Sequence, residues 1–138
     1  MSDPLSVTAG IIAIVTATIQ STSALYNTIE SFKAYPKRVG ELRAQLLALG
    51  DVLRSLHELA EHDETVCALL ETPLRQCRTA CRDFKVILEE CRRNSRSGKP
   101  SFSEWMKLRY RNGDIVSFME SLAIYKSTIG IAIADANL

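Results

Sequence analysis

The chain has 138 residues, of which 46% are hydrophobic and 24% charged, and its formal net charge is +1. A chain of this length can bury one hydrophobic core without help from metals or disulfides. A net charge this close to zero gives no global field for nucleic acid, and no recognition motif accompanies the basic residues. We therefore expect a single domain without a nucleic-acid partner.

The N-terminus carries none of the common targeting signals. Asp3 stands where a secretory signal would have a basic region, and Ser2 replaces the glycine that myristoylation requires. We therefore expect a protein that begins in the cytoplasm.

The first predicted helix carries no charge from Leu5 to Ile29, and Asp3 followed by Pro4 is a helix-start signal. Continued to Phe32, it would be roughly 40 Å long, enough to cross a hydrocarbon core of ~30 Å. Spacing at 100° per residue predicts a wide apolar arc, formed by Leu5, Val7, Ile11, Ile12, Ile14, Val15, Ile19, Leu25, Tyr26, Ile29 and Phe32. A narrow polar ridge lies opposite, formed by Thr16, Gln20, Ser23 and Asn27. This pattern fits two structures: a core helix of a soluble bundle, or one membrane-crossing helix of an assembly.

The second helix is predicted to start at Pro36 and to end near His62, with Asp63 capping the next segment. Its apolar residues repeat at spacings of three and four, and we expect them to form one buried seam: Val39, Leu42, Leu46, Leu49, Leu53, Leu56 and Ala60. A short third segment follows, and Thr72 before Pro73 predicts a break and a new start. The next regular helix is expected from Leu74.

The helix from Leu74 combines an apolar face with a basic one. The basic residues are Arg75, Arg78, Arg82, Lys85, Arg92 and Arg93. Nucleic acid, anionic lipid headgroups and a solvated face complementing the acidic second helix are three interpretations. Under the second, these six residues are the candidate anionic-lipid contacts. Cys77, Cys81 and Cys91 share the apolar face, where we expect free thiols in a reducing compartment.

A polar loop from Asn94 to Pro100 precedes a short fourth helix around Trp105. A last helix, capped by Asp114, carries the apolar repeat Ile115, Phe118, Leu122, Tyr125, Ile129, Ala132 and Ala136. Its pattern runs to Leu138 without a capping residue, which predicts a domain excised from a longer protein. We find no catalytic or phosphate-binding motif and no metal-ligand spacing, and therefore expect neither an enzyme nor a cofactor.

Both ends of the chain resemble one known family. The opening MSDPLSVTAGIIAI, the Tyr35-Pro36 start of the second helix and the ending YKSTIGIAIADANL are similar to the HeLo-like N-terminal domains of fungal NLR-type (STAND) receptors and related cell-death effectors. The resemblance implies an all-α, compact antiparallel bundle of four to five helices, like the HET-S HeLo domain and the bundle of mixed-lineage kinase-like effectors.

The resemblance also implies a function. Such domains are held inactive in the cytoplasm, form homo-oligomers on a signal, relocate to the membrane and permeabilise it through the N-terminal helix. A NACHT-type or amyloid-signalling module would deliver that signal in the longer protein. The alternative is a homotypic or adaptor interaction module that never contacts a membrane. Leakage of dye from anionic vesicles discriminates between the two.

Overall fold

The structure, a computed structural model, describes residues 4–32, 37–93 and 112–137. Side chains are described within these ranges except at residues 4–9, 38, 64, 67, 91–93 and 112–114. The predicted caps and starts at Asp3 and Pro36, the 94–100 loop and the fourth helix around Trp105 lie outside this part of the chain.

Five α-helices make up the described chain, and no β-strand occurs among these residues. The helices are α1 (Pro4–Glu30), α2 (Lys37–Ala60), α3 (Glu64–Leu69), α4 (Glu71–Arg93) and α5 (Asn112–Ala136). The predicted all-α bundle is therefore confirmed.

Four long helices surround the core in a defined order. Helix α1 packs against α2 and α4, and α5 packs against the same two helices, most closely against α2. Helices α2 and α4 therefore lie at opposite corners of the bundle. Short α3 contacts all four long helices. Only residues 31–36 join α1 to α2, so these two packed helices run antiparallel.

Helix α2 supplies the most regular part of the core. Every member of the predicted seam from Val39 to Ala60 is at most 1% exposed. Burying one leucine side chain stabilises a fold by about 1.5–3 kcal/mol, so the five leucines of this seam dominate the stability of the bundle. At the far side of the core, the Phe84 ring of α4 stacks on Phe118 of α5, with centroids 4.6 Å apart.

Three predicted helix boundaries can be compared with the structure. Asp63 caps α3 as predicted, because its Oδ1 atom accepts the backbone N–H of Thr65 at 3.1 Å. The predicted interruption before the basic helix is confirmed, but it lies at Leu70 rather than at Thr72-Pro73: α3 ends at Leu69, and α4 begins at Glu71 and includes Pro73 in its first turn. First-turn N–H groups have no intrahelical partner, so the missing N–H of proline costs nothing there. Helix α5 begins at Asn112, before the predicted Asp114 cap.

Candidate functional site

The buried face of α1 is narrower than the predicted apolar arc. It follows spacings of three and four through Ile11, Val15, Thr18, Thr22, Leu25 and Ile29. Ile12, Ile14 and Ile19 are only partly buried at its edges, so the bundle fully covers only part of the predicted arc. Leu5 and Val7 belong to α1, but their side chains lie outside the described part of the chain.

Two threonines that the sequence pattern did not assign to the core occupy the centre of this face. Thr18 and Thr22 are 0% and 2% exposed. The Thr18 hydroxyl donates to the Ile14 carbonyl at 2.8 Å, and the Thr22 hydroxyl donates to the Thr18 carbonyl at 2.9 Å. Because each hydroxyl is satisfied one turn back along its own helix, threonine behaves here as a small apolar residue.

These small side chains bring α1 close to α4. The Thr18 hydroxyl oxygen lies 3.3 Å from the carbonyl oxygen of Leu74, a backbone atom of α4. Cys77 and Cys81 of α4 are fully buried free thiols, as predicted. At the Thr18–Leu74 point of the α1–α4 contact, a small side chain meets backbone.

The thiol pair also has an unusual proton affinity. A side-chain hydrogen bond with Cys81, together with burial, raises the pKa of Cys77 far above its ordinary value. Burial and the two thiols raise the pKa of Tyr125, which approaches the pair from α5. The third predicted core thiol, Cys91, lies outside the described side chains.

The polar ridge of α1 divides into two parts. Gln20 and Asn27 are exposed, whereas Thr16 and Ser23 are half-buried. Ser23 and Asn27 line a groove of about 280 Å³ between α1 and α2, together with Leu47 and Arg54 of α2. Within the folded bundle, Ser23 and Asn27 are therefore surrounded by both polar and apolar side chains.

Arg43 of α2 links the C-terminal end of α1 to α2. The Nε atom of Arg43 donates to the Tyr26 hydroxyl at 3.2 Å, and the same guanidinium forms an ion pair with Glu30. Its Cζ atom lies 5.4 Å from the centroid of the Tyr26 ring. Sequence reasoning placed Tyr26 in the apolar arc and missed this contact, since an Arg at position 43 is ordinary for a polar helix face.

The basic residues of α4 form a stripe of four described side chains, Arg75, Arg78, Arg82 and Lys85, hereafter the α4 stripe. Its two ends form ion pairs within the helix, Arg75 with Glu71 and Lys85 with Glu89. Within the described part of the chain, no carboxylate forms an ion pair with Arg78 or Arg82. The side chains of Arg92 and Arg93 lie outside it.

Helix α5 has an apolar surface that the sequence analysis did not single out. Ile124 and Ile131 are 63% and 60% exposed. The segment Ile115–Ala136 is the described helix that is long and apolar enough to cross a membrane, a test that core helices of soluble proteins also pass. The sequence carried one signal for this apolar surface: Lys126 is the single charged residue between Glu120 and Asp135.

The described residues contain no group of three or more potential metal-ligating side chains. What the geometry offers instead is a long uncharged helix, held by small contacts in its middle and by one guanidinium at its end.

Comparison with known protein families gives a match over almost the whole chain. A family model described as "Pigment biosynthesis cluster protein PigL N-terminal" (PigL_N) matches residues 2–138. No curated protein and no solved structure matches the chain.

Proposed function

The chain belongs to the family of PigL N-terminal domains, and we propose that it is a HeLo-like, inducible membrane-permeabilising domain. In this proposal the bundle is cytoplasmic at rest, forms a homo-oligomer on a signal and inserts α1 into an anionic membrane. A NACHT-type or amyloid-signalling module of a longer protein supplies the signal.

The observation that supports this proposal is the surface of α1. No charged residue interrupts it from Leu5 to Ile29, yet its buried seam is narrow and its polar ridge is partly exposed. A helix that served only the core would have no need to exclude charge from its exposed positions, such as Gln20. A helix that also enters a bilayer needs this, since one charge near the bilayer centre costs about 2.5–3.5 kcal/mol.

The energetics explain why insertion must be induced. Removing Ile11, Val15, Leu25 and Ile29 from the core would cost about 1.5–3 kcal/mol each, a total comparable with the ~5–15 kcal/mol stability of a whole domain. Spontaneous release of α1 is therefore rare in the resting bundle. A bilayer covers the same side chains again, so oligomerisation at a membrane can compensate for the cost.

The α4 stripe offers a means of recruitment. Each basic side chain near an anionic membrane surface contributes about 1 kcal/mol of attraction. We propose Arg75, Arg78, Arg82 and Lys85, together with Arg92 and Arg93, as the anionic-lipid contacts. Reversing Arg78, Arg82 and Lys85 to Glu should weaken vesicle binding, and added salt should weaken binding of the unmodified protein. Binding unaffected by the triple reversal would exclude this role.

The test of the function is dye leakage from anionic vesicles after induced oligomerisation, for example through a fused dimerising tag. We expect leakage from the unmodified protein. Ile19→Asp should damage both the fold and leakage, because Ile19 is partly buried in the bundle and apolar in a bilayer. Gln20→Glu should leave the free energy of unfolding within ~0.5 kcal/mol, because Gln20 is exposed.

The leakage measured for the Gln20→Glu variant then distinguishes two possible arrangements of the inserted helix. Retained, more cation-selective leakage would place the ridge along a wet pore, and lost leakage would place it in a dry helix–helix interface. Vesicles that stay sealed with oligomerised, folded protein would contradict the membrane function. The homotypic or adaptor module would then be the better description, with the α1–α2 groove and the exposed α5 surface as its contact regions.

A further inference from the structure

The bundle carries two unpaired charged surfaces of opposite sign. One is the α4 stripe, whose central residues Arg78 and Arg82 form no ion pair within the described part of the chain. The other is a cleft of about 320 Å³ between α2 and α5. The cleft is lined by Glu41, Gln45, Val116, Met119, Glu120 and Ala123.

The acceptor groups that line the cleft would suit a cation with several hydrogen-bond donors. Glu41 of α2 and Glu120 of α5 are exposed and form no ion pair with any described residue. The Oε1 atom of Gln45 is buried and accepts no hydrogen bond from the described part of the chain. A buried acceptor without a donor is costly, so a donor that reaches this oxygen would relieve the cost.

A guanidinium meets all of these requirements together. It carries five N–H donors in a fixed planar arrangement, enough for two carboxylates and an amide oxygen. Its methylene stem can cover apolar surface such as that of Val116, Met119 and Ala123. Two neighbouring guanidiniums, four residues apart on one helix, match the two carboxylates of the cleft in number.

The two surfaces cannot meet within one molecule, because α2 and α4 lie at opposite corners of the bundle. We propose that they meet between molecules: Arg78 and Arg82 of one copy dock into the Glu41–Gln45–Glu120 cleft of the next. This inference rests on the proposed function, since it identifies the contact by which the domain forms its homo-oligomer. In that oligomer Arg78 and Arg82 are engaged by the next copy, so the other basic residues of α4 are left for lipid.

The placement of the surfaces also determines the kind of assembly. The stripe lies on α4 and the cleft lies between α2 and α5, so a copy that binds a neighbour through its stripe still has its cleft free. Each copy therefore binds one neighbour through its stripe and another through its cleft. Such a head-to-tail contact produces a ring if the rotation closes and a filament if it does not.

The test uses two neutral variants, each with one surface disabled, and no lipid. Glu41→Gln/Glu120→Gln disables the cleft, and Arg78→Gln/Arg82→Gln disables the stripe. Sedimentation at high protein concentration and low salt should show oligomers larger than dimers for the unmodified protein. Each variant alone should be monomeric, and their equimolar mixture should form a 1:1 heterodimer, because one functional cleft and one functional stripe remain. Circular dichroism verifies that each variant is folded.

Matched controls change the same number of charges elsewhere. Glu58→Gln/Glu61→Gln removes two carboxylates outside the cleft, one in α2 and one just after it, and Arg54→Gln/Lys126→Gln removes two cations outside the stripe. Both variants should assemble like the unmodified protein. Gln45→Leu removes the unsatisfied oxygen, so it should raise the melting temperature of the monomer while weakening self-association at least tenfold.

Several results would overturn the contact. These are an unmodified protein that stays monomeric, variants that assemble normally, or a mixture that forms no heterodimer. An Arg78→Gln/Arg82→Gln protein that loses vesicle binding but still self-associates would assign the stripe to lipid alone. Leakage is measured separately. Assembly without leakage would contradict the membrane function and leave the contact intact. Leakage by variants that lack this contact would support the membrane function and contradict the contact.

Discussion

The guanidinium of Arg43 lies over the ring of Tyr26, with 5.4 Å between its Cζ atom and the ring centroid. Arg43 also donates a hydrogen bond to the Tyr26 hydroxyl and pairs with Glu30. Three interactions thus converge on one side chain at the end of α1, where the uncharged stretch of the helix stops. Among the described residues, the hydroxyls of α1 bond to its own carbonyls or, for Thr18, lie near the Leu74 carbonyl of α4, so Arg43 provides the described side-chain polar link between α1 and α2.

Replacing Arg43 with Met should loosen the end of α1. A partly exposed cation–π contact contributes about 0.5–1 kcal/mol, and a surface ion pair contributes about 0–1 kcal/mol. We expect a loss of about 1 kcal/mol in urea unfolding, faster amide exchange in the last turns of α1 and faster vesicle leakage. Arg54→Met is the control, because among the described residues Arg54 bonds to Asp51 of its own helix and to no residue of α1. Identical exchange and leakage in the two variants would rule out a fastening role for Arg43.

How far the sequence predicts the core depends on the residue type. In α2 the leucine spacing identified every buried residue of the seam, since leucine has no polar atom to satisfy. In α1 the same spacing runs through Thr18 and Thr22, which a hydrophobic pattern counts as polar. Their hydroxyls bond to carbonyls one turn back, and only the structure shows this.

The sequence also could not predict which helices pack against each other. The acidic face of α2 and the basic face of α4 look complementary along the chain, and one interpretation paired them within the molecule. The structure places them at opposite corners, because α1 and α5 each lie between them. Spacing shows which face of a helix is buried, whereas the choice of neighbour depends on packing across the whole core. The candidate contacts of Tyr26 and Gln45 were unpredictable for the same reason.

Thr18 tests how closely α1 and α4 approach. Thr18→Val keeps the shape and leaves no donor unpaired, so we expect a change in unfolding free energy below about 1 kcal/mol. Thr18→Leu adds volume where the hydroxyl oxygen lies 3.3 Å from the Leu74 carbonyl oxygen, and should cost about 1–3 kcal/mol. Gln20→Leu, at an exposed position of α1, is the matched control in urea unfolding. A Leu at position 18 that is tolerated as well as one at position 20 would show that the helices are not closely packed.

The buried thiol pair predicts a loss of stability at high pH. The pKa of Cys77 is raised in the folded protein, whereas in the unfolded chain the thiol ionises near its ordinary value of 9.0. The folded state therefore binds one more proton above that pH. This contribution to stability is fully present below pH 9 and decreases above it, by up to about 1.4 kcal/mol per pH unit.

Chemical unfolding at intervals between pH 7 and pH 10.5 measures this dependence. Cys77→Ala should be less stable at every pH because it leaves a cavity, but it should lose less stability as the pH rises. The pKa of Tyr125 is also raised, so Tyr125→Phe separates the contribution of the phenol, which appears at higher pH. Parallel pH profiles for Cys77→Ala and the unmodified protein would contradict the assignment.

Two helices have the length and low charge to enter a bilayer, and a pair of substitutions distinguishes α5 from α1. Ile124 and Ile131 of α5 are more than half exposed, so Ile124→Asp/Ile131→Asp should change the unfolding free energy by only about 0.5 kcal/mol per site. In a bilayer each carboxylate would cost about 2.5–3.5 kcal/mol near the helix centre, enough to prevent insertion of α5. Because we propose that α1 inserts and α5 stays in the bundle, we expect leakage by this variant to remain within twofold of the unmodified protein.

Gln20→Asp/Asn27→Asp is the matched pair on α1: both positions are exposed, so the fold should tolerate it equally well, while leakage should change in rate or ion selectivity. Lost leakage in the α5 variant with an unaltered α1 variant would transfer the membrane-inserting role to α5.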